Sequence, residues 1–344
     1  MIYRVTQIND PHLAATPPAG RTASYESDIL AKLAWCIEHA NYRQADAVVI
    51  SGDAFHSKRA SATPHLLVQR ARAILNGAEC PVYLIEGNHD QAHGGALDGQ
   101  AILSLVGDNV RMLYGDAPDG VICGIPWDNR MEGPDGVAFL AGEIAACSAP
   151  LVFAHAPISL RPYPFGPEAQ GWLLAADLVP LLPEHVRLVA HGHMHNGHHV
   201  DQWARDERAV NKRIDGIMWA YPDLTFSNPG ALARATLSTD DVTRRPMVAD
   251  ITYDDATGTV EVRYVEVECA RPAAEVLRIE QHAREAHRDG SVEALAASLA
   301  GAEAEVVDAD VMRAHLRSLV RPETIAEDVW TRGLALADAA LDGV

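Results

Sequence analysis

The stretch Ala47-Val48-Val49-Ile50-Ser51-Gly52-Asp53-Ala54-Phe55-His56 decides the fold. Four apolar residues in succession are what a strand covered on both faces requires. The run stops at Ser51-Gly52, and the glycine permits a sharp turn that sends the Asp53 side chain back over the sheet edge. The same order of parts recurs along the chain: an apolar run, a turn, then an oxygen or nitrogen donor. Ile2–Ile8 leads to Asp10-Pro11-His12, and Val82–Ile85 to Gly87-Asn88-His89-Asp90. Leu151–Ala154 leads to His155, and Leu188–Ala190 to Gly192-His193-Met194-His195. Between these runs lie helical patterns. Asp28–Arg43 places Ile29, Leu33 and Ile37 at i, i+4 and i+8, and Pro64–Asn76 is closed by Gly77. With the further run Val121–Ile125, this alternation predicts a layered α/β (α+β) domain.

From Ile217 the character changes. Ile217–Tyr221, Leu224–Ser227, Met247–Tyr253 and Thr259–Val267 read as strands without intervening helices, the last two joined by a turn over Asp254–Gly258. After Arg271-Pro272 the pattern is helical. One helix runs from Ala273 to His287, and Ser291 caps a second carrying Val292, Leu295 and Leu299. Asp308 caps a third with Val311 and Leu316, and a last one runs from Glu323 to about Leu341. The expected organisation is a domain over 1–270 and a small helical region over 271–344, either a lid on the main domain or a docking element for a partner.

Composition narrows the classes. The chain has 344 residues, 48% of them hydrophobic, which excludes a disordered or collagen-like chain. The net charge of −19 excludes nucleic-acid binding by bulk electrostatics and leaves a local basic patch or bound metal as the route. Residues 265–344 carry 16 acidic and 8 basic side chains and supply much of that charge. Cys36, Cys80, Cys123, Cys147 and Cys269 are odd in number and show no paired spacing, so they read as thiols in a reducing compartment. The chain enters a strand at Ile2 and holds no apolar run of about 18 residues, so the expectation is a cytoplasmic protein without a membrane span.

A lone Asp or His at a strand end is usually a cap or a turn residue. Five donor clusters in order, each after a strand, are different, because carboxyl ends of strands line the ligand crevice of α/β sheets. Asp10, His12, Asp53, Asn88, His155, His193 and His195 make seven donors, too many for one metal and suited to two that share a bridge. Carboxylate, amide and imidazole without thiolate select hard to borderline divalent ions: Mn²⁺ first, with Fe²⁺, Zn²⁺ or Mg²⁺ as alternatives. A pair of such ions clamps both oxygens of an in-line displacement and activates a hydroxide between them. His191, His198 and His199 flank the last cluster and read as surface or supporting residues.

The series Asp-x-His, Gly-Asp-x-x-His, Gly-Asn-His-Asp, His and Gly-His-x-His resembles the calcineurin-like metallophosphoesterase superfamily over roughly residues 1–235. The resemblance implies a two-sheet β-sandwich flanked by helices with a dinuclear centre at one edge. A narrower likeness is to SbcD-type DNA-repair nucleases. It is carried by Ser51-Gly52-Asp53-Ala54-Phe55-His56, by the approach from Asp177-Leu178 to Gly192-His193-Met194-His195, and by Ser227–Arg234 with Val265-Glu266-Val267 ahead of Arg271-Pro272. Carried over residue by residue, Asp10, His12, Asp53 and His195 would hold one metal. Asp53, Asn88, His155 and His193 would hold the other, with Asp53 bridging. His89 resembles the catalytic histidine, His56 would orient substrate or His89, and Asp90 would orient His89. Arg161, with Lys58, Arg59, Arg70 and Arg72, is a candidate phosphate contact. The implied substrate is DNA and the implied partner an SbcC-type ATPase bound through the C-terminal helices, with a second copy of the chain as a further expected partner. A small phosphoester such as a cyclic nucleotide is the alternative substrate, and a scaffold that has lost its chemistry the third reading.

Overall fold

In the first strand-rich run, neighbouring residues part company. Ala47 and Val49 join one apolar cluster while Val48 and Ile50 join another. Successive side chains of a strand point to opposite faces, so a strand apolar on both faces must lie between two cores. The computed structural model of the protein describes residues 1–57, 62–91, 101–160, 172–203, 212–214, 217–219, 223–235 and 239–279, with the backbone alone at 212–214, 217–219 and 239–240. Met1–Leu277 form one compact unit and Arg278–Val344 a second.

The chain opens with β1 (Ile2–Ile8), α1 (Tyr25–Tyr42), β2 (Ala47–Ser51), α2 (His65–Leu75), β3 (Val82–Ile85) and β4 (Val110–Met112). It continues with β5 (Gly115–Asp116), β6 (Ile122–Ile125), α3 (Gly136–Ala145), β7 (Leu151–His155), β8 (Ile158–Ser159), β9 (Leu173–Leu174), α4 (Ala175–Leu178) and β10 (Leu188–Gly192). Then follow β11 (His198–Trp203), β12 (Lys212–Ile214), β13 (Ile217–Trp219), β14 (Leu224–Asn228), α5 (Thr239–Thr243), β15 (Met247–Asp254), β16 (Thr259–Glu266) and α6 (Ala273–Val276).

Two six-stranded sheets result, in the orders β16-β15-β1-β2-β3-β4 and β11-β14-β10-β7-β6-β5. The central pairs are parallel: β1 with β2 and β2 with β3 in one sheet, β6 with β7, β7 with β10 and β10 with β14 in the other. Three of the four edges are closed by antiparallel partners, β15 and β16 on the first sheet and β11 and β5 at the two edges of the second, while β4 closes the other edge of the first sheet parallel to β3.

Three cores follow from the alternation. Tyr3, Val5, Ala47, Val49, Leu151, Phe153, Leu188 and Ala190 meet between the sheets. Ile29, Leu33, Leu67, Val48 and Ile50 pack α1 and α2 onto the first sheet. Leu140, Ile144, Val152, Ala154 and Val189 pack α3 onto the second. The architecture is the expected two-sheet sandwich flanked by helices, and the parallel strands of both sheets end along one edge.

Three expectations are corrected. Cys123 and Cys147, read as free thiols, form a disulfide with Cα atoms 6.3 Å apart, while Cys36 and Cys80 are buried thiols and Cys269 an exposed one. The chain leaves β6, passes through α3 and returns to β7 beside it, which brings together two positions that no local spacing connects. The strand-only reading of the 217–267 region is interrupted by α5. The helix expected over Ala273–His287 is broken after Val276, because Leu277 turns extended, buries its side chain and bridges Arg21, and residues 280–287 lie outside the described residues. The helices expected around Ser291, Asp308 and Glu323–Leu341 lie outside the described residues. Among the described residues no helix is long and apolar enough to cross a membrane.

Candidate metal centre

Backbone conformation marks the site before any side chain is considered. Asp10, His12 and Asp53 each adopt φ of 47° and His193 adopts 80°. Non-glycine residues in this region cost about 1–2 kcal/mol each and persist where surrounding contacts hold them. Here the hold is mutual. The His12 N–H donates to the Asp53 carbonyl at 2.9 Å and the Leu13 N–H to the Ala54 carbonyl at 2.8 Å, so the loops after β1 and β2 brace each other.

The donors gather in two groups. Ligand atoms of Asp10, His12, Asp53 and His195 all lie within 4.8 Å of one another. His12 Nε2 is 2.9 Å from His195 Nε2 and 3.6 Å from Asp53 Oδ2. The other Asp53 oxygen, Oδ1, is 3.6 Å from His155 Nε2. Asn88 Oδ1 is 3.1 Å from His155 Nε2 and 3.3 Å from His193 Nδ1. One carboxylate thus faces both groups with different oxygens, the placement a bridging ligand needs.

The chemistry of these atoms calls for cations. His155 Nδ1 sits 2.9 Å from the Ser51 carbonyl, which can only accept, so Nδ1 carries the proton and Nε2 presents a lone pair. That lone pair faces two further acceptors, Asp53 Oδ1 and Asn88 Oδ1, and no hydrogen is available among the three. Three glycines keep the space clear. A Cβ on Gly52 would lie 1.9 Å from His155 Nδ1, one on Gly87 2.2 Å from Asp53 Oδ1, and one on Gly192 2.1 Å from the Ser51 carbonyl.

Burial sets the electrostatics. It pushes the imidazoles down: His155 to about 4, His195 to about 4, His193 to about 3, and His12 well below its ordinary value. Neutral rings with free lone pairs are what a metal takes. Burial raises the Asp10 carboxyl, helped by Asp53, and raises Asp53 itself. Divalent cations among these groups reverse the sign for the carboxylates.

The remaining predicted residues surround this core. The His89 N–H donates to Asp53 Oδ1 at 2.8 Å, and His89 Nδ1 lies 2.8 Å from the His56 carbonyl. A carbonyl has no proton to give, so Nδ1–H donates and Nε2 is left for other work. His56 therefore holds His89 through its main chain, while its ring stands edge-on to His12 at 5.4 Å. Asp90 accepts from the backbone N–H groups of Gly87, Ala54 and Phe55 at 3.0–3.1 Å, and no hydrogen bond among the described residues joins it to the His89 ring. It ties the loop carrying Asp53 to the loop carrying Asn88 and His89, and burial next to Asp53 pushes its carboxyl up to about 8. His191 is fully buried, its Nε2 2.8 Å from His198 Nε2. Arg161, Lys58 and Arg59 lie outside the described residues. Arg70 pairs with Glu26 at 2.8 Å on the surface.

Sequence reasoning missed three supports. Trp127, in the loop after β6, stacks on His193 with ring centroids 4.6 Å apart and meets His155 edge-on. Asn9 Nδ2 donates to the His191 carbonyl at 2.7 Å and to Asn228 Oδ1 at 2.9 Å, tying the ends of β1, β10 and β14 together. Asn9, Trp127 and Asn228 follow strand-like runs as the ligands do, so that signal was present for all three, but an indole is not a metal donor and Trp127 was passed over.

The profile of the calcineurin-like phosphoesterase family matches residues 3–197. No curated protein matches the chain. Among solved structures, the protein TT1561 of Thermus thermophilus is similar at 12% identity, covering 78% of this chain and 100% of that one, with a TM-score of 0.41. A dimetal phosphatase from Danio rerio is similar at 12% identity over 77% of this chain and 99% of that one, with a TM-score of 0.43. The purple acid phosphatase PPD1 from yellow lupin seeds is similar at 14% identity over 79% of this chain and 52% of that one, also at 0.43.

Proposed function

Because the chain belongs to the calcineurin-like phosphoesterase family, we propose that this metal-dependent hydrolase is a phosphodiesterase acting on DNA, in the manner of the SbcD-type nucleases it resembles. The carrying observation is the convergence of Asp10, His12, Asp53, Asn88, His155, His193 and His195, with His89 poised beside them. Asp10, His12, Asp53 and His195 would hold one divalent ion, and Asp53, Asn88, His155 and His193 the other. The mixed oxygen and imidazole set suits Mn²⁺, with Fe²⁺, Zn²⁺ or Mg²⁺ as alternatives. When bound, such ions supply Lewis acidity toward a phosphoryl oxygen and an activated water.

The protein's own part is positional and protonic. His89 Nδ1–H is committed to the His56 carbonyl, so Nε2 is the atom that can exchange a proton with substrate: as the imidazolium, with a second proton on Nε2, the ring can give that proton to the leaving oxygen and return to the neutral Nδ1–H form. The Asp53 carboxylate accepts from the His89 backbone N–H, which holds the main chain of His89 beside the bridging position, while the His56 carbonyl orients its ring. The finer, DNA-directed reading draws on Phe55-His56: Phe55 is buried and faces Leu13 across an isolated bridge, which sets the His56 carbonyl where His89 needs it. Docking of an SbcC-type ATPase on the C-terminal helices belongs to the same proposal.

The net charge of −19 favours a second reading, a small phosphoester that needs no long basic groove. One experiment separates them. Mn²⁺-loaded protein is assayed on linear duplex DNA and on bis-p-nitrophenyl phosphate, with Asp53→Ala and His89→Ala as controls. DNA degradation that both substitutions suppress, His89→Ala by about 10²–10⁴-fold, supports the nuclease. Ester turnover that excess DNA leaves untouched, with DNA intact, replaces it with the small-ester reading.

A further inference from the structure

After β14 the chain runs through Pro229, Gly230 and Ala231 to Arg234, buried along its length and outside either sheet. Its N–H groups serve the loops that carry ligands of the first metal. Ala231 donates to the His195 carbonyl at 3.0 Å, Leu232 to the Asn9 carbonyl at 2.7 Å and Ala233 to the Asp10 carbonyl at 3.3 Å. The carbonyls of four consecutive strap residues each accept from an arginine or lysine side chain. Arg244 donates to Ala231 at 2.6 Å and also to Ala233, Lys32 to Leu232 at 2.5 Å, and Arg21 to Arg234 at 3.1 Å.

These cations are hidden. Arg21 is 1% exposed and Lys32 3%. Two carboxylates stand beside them: Asp28 pairs with Arg21 at 3.2 Å and Asp241 with Arg244 at 2.7 Å. Burying charge is expensive, and burying positive charge behind a site for divalent cations more so. Four successive buried carbonyls without a strand partner must nonetheless be satisfied, and charged donors make the strongest such bonds. The arrangement suits a part that must not shift. Asp10 follows β1 in one sheet and His195 follows β10 in the other, and the strap is bonded to the loops of both.

We propose that Lys32, Arg244 and Arg21 are positioning residues for the first metal site, acting through the Ala231–Arg234 strap to fix Asp10 and His195 relative to each other. This rests on the dinuclear reading and adds a selectivity to it: the strap's hydrogen bonds named above end on the main chain of Asn9 and of Asp10 and His195, both ligands of the first site. Of the second-site ligands, Asn88 and His155 lie on other loops, and His193 shares the loop of His195 but receives none of these three bonds.

The test is Mn²⁺ titration of the full chain by calorimetry, wild type against Lys32→Met. Arg244→Gln, which leaves Lys32 in place, repeats it should Lys32→Met fail to fold. Leu67→Ala, a core change in α2, is the control for general destabilisation. The wild type is expected to take two equivalents. Each strap variant should weaken one of them about tenfold or more and leave the other within about twofold, while Leu67→Ala lowers the melting temperature without separating the two. Strap variants that weaken both equivalents alike, or neither, overturn the inference while leaving the dinuclear centre intact. A wild type that takes up no Mn²⁺ overturns the dinuclear reading and this inference with it.

Discussion

Adding a single methyl group at Gly87 tests the site's geometry most directly. A Cβ there would lie 2.2 Å from Asp53 Oδ1 and 2.3 Å from the Asp53 backbone nitrogen. Ordinary contact begins near 3.4 Å, so the two loops must part by about 1 Å, and the atom in the way is backbone, which cannot swing aside. Overpacking of this kind costs roughly 1–3 kcal/mol. Activity should suffer far more, because a displacement of about 1 Å in a positioned group costs on the order of 100-fold, and here the group is the carboxylate that faces both donor groups. Gly142 supplies the matched control. It lies exposed in α3 with nothing within 4 Å of an added Cβ, so Gly142→Ala adds the same atoms to a helix and should stabilise by about 0.5–1 kcal/mol with activity unchanged. The assay is kcat/KM on bis-p-nitrophenyl phosphate with Mn²⁺, paired with thermal melting. Gly87→Ala within about threefold of wild-type activity would refute the claim that the Asp53 position is sterically defined by the loop after β3.

Three further outcomes follow from the packing around the site and the core. Trp127→Leu removes the ring stacked on His193 and is expected to weaken one Mn²⁺ equivalent several-fold. Wild-type tryptophan fluorescence should change on metal addition, and an identical change in the variant would exclude Trp127 as the reporter. Lys32 is held down to about 7 by burial first and then by Arg21, Arg234 and Arg244, with Cys36 opposing. The unfolded chain therefore binds more protons than the folded one between about 7 and the ordinary lysine value, so stability should rise with pH across that window and lie flat with respect to this group below it. The contribution is on the order of a few kcal/mol, and Lys32→Met should remove the slope in denaturant melts from pH 7 to 10; parallel curves for both proteins would contradict it. Reducing Cys123–Cys147 opens a loop of sequence separation 24 and should cost roughly 3 kcal/mol, read as a lower melting temperature in dithiothreitol that Cys123→Ala/Cys147→Ala reproduces without reductant.

Strands were the most legible part of the fold. Ile2–Ile8 and Val82–Ile85 agree end for end with the structure, because each is rich in β-branched, aromatic or aliphatic residues and is cut off by polar and turn residues. Helix ends drifted by a few residues: α1 begins at Tyr25, three before the expected Asp28, because Tyr25 buries its ring and donates to the His12 carbonyl at 2.8 Å. The donors of the candidate site were legible for a local reason. Each follows a strand within a few residues, and a parallel sheet brings such ends to one edge whatever the loops between them do.

Composition and periodicity, then, were enough to determine the layered α/β class, the strands that lead to the donors, and which oxygen and nitrogen donors gather at their ends. Tertiary structure alone decided the rest: that Asp53 turns a different oxygen to each donor group, that Asp90 braces backbone rather than the His89 ring, that Cys123 meets Cys147, and that Lys32, Arg21 and Arg244 hold the strap behind Asp10. The physical reason is range. A strand and the turn that ends it are set by neighbours a few residues away, whereas a carbonyl at Leu232 finds the ammonium of Lys32, 200 positions earlier, only after helices and sheets have packed and excluded every other partner.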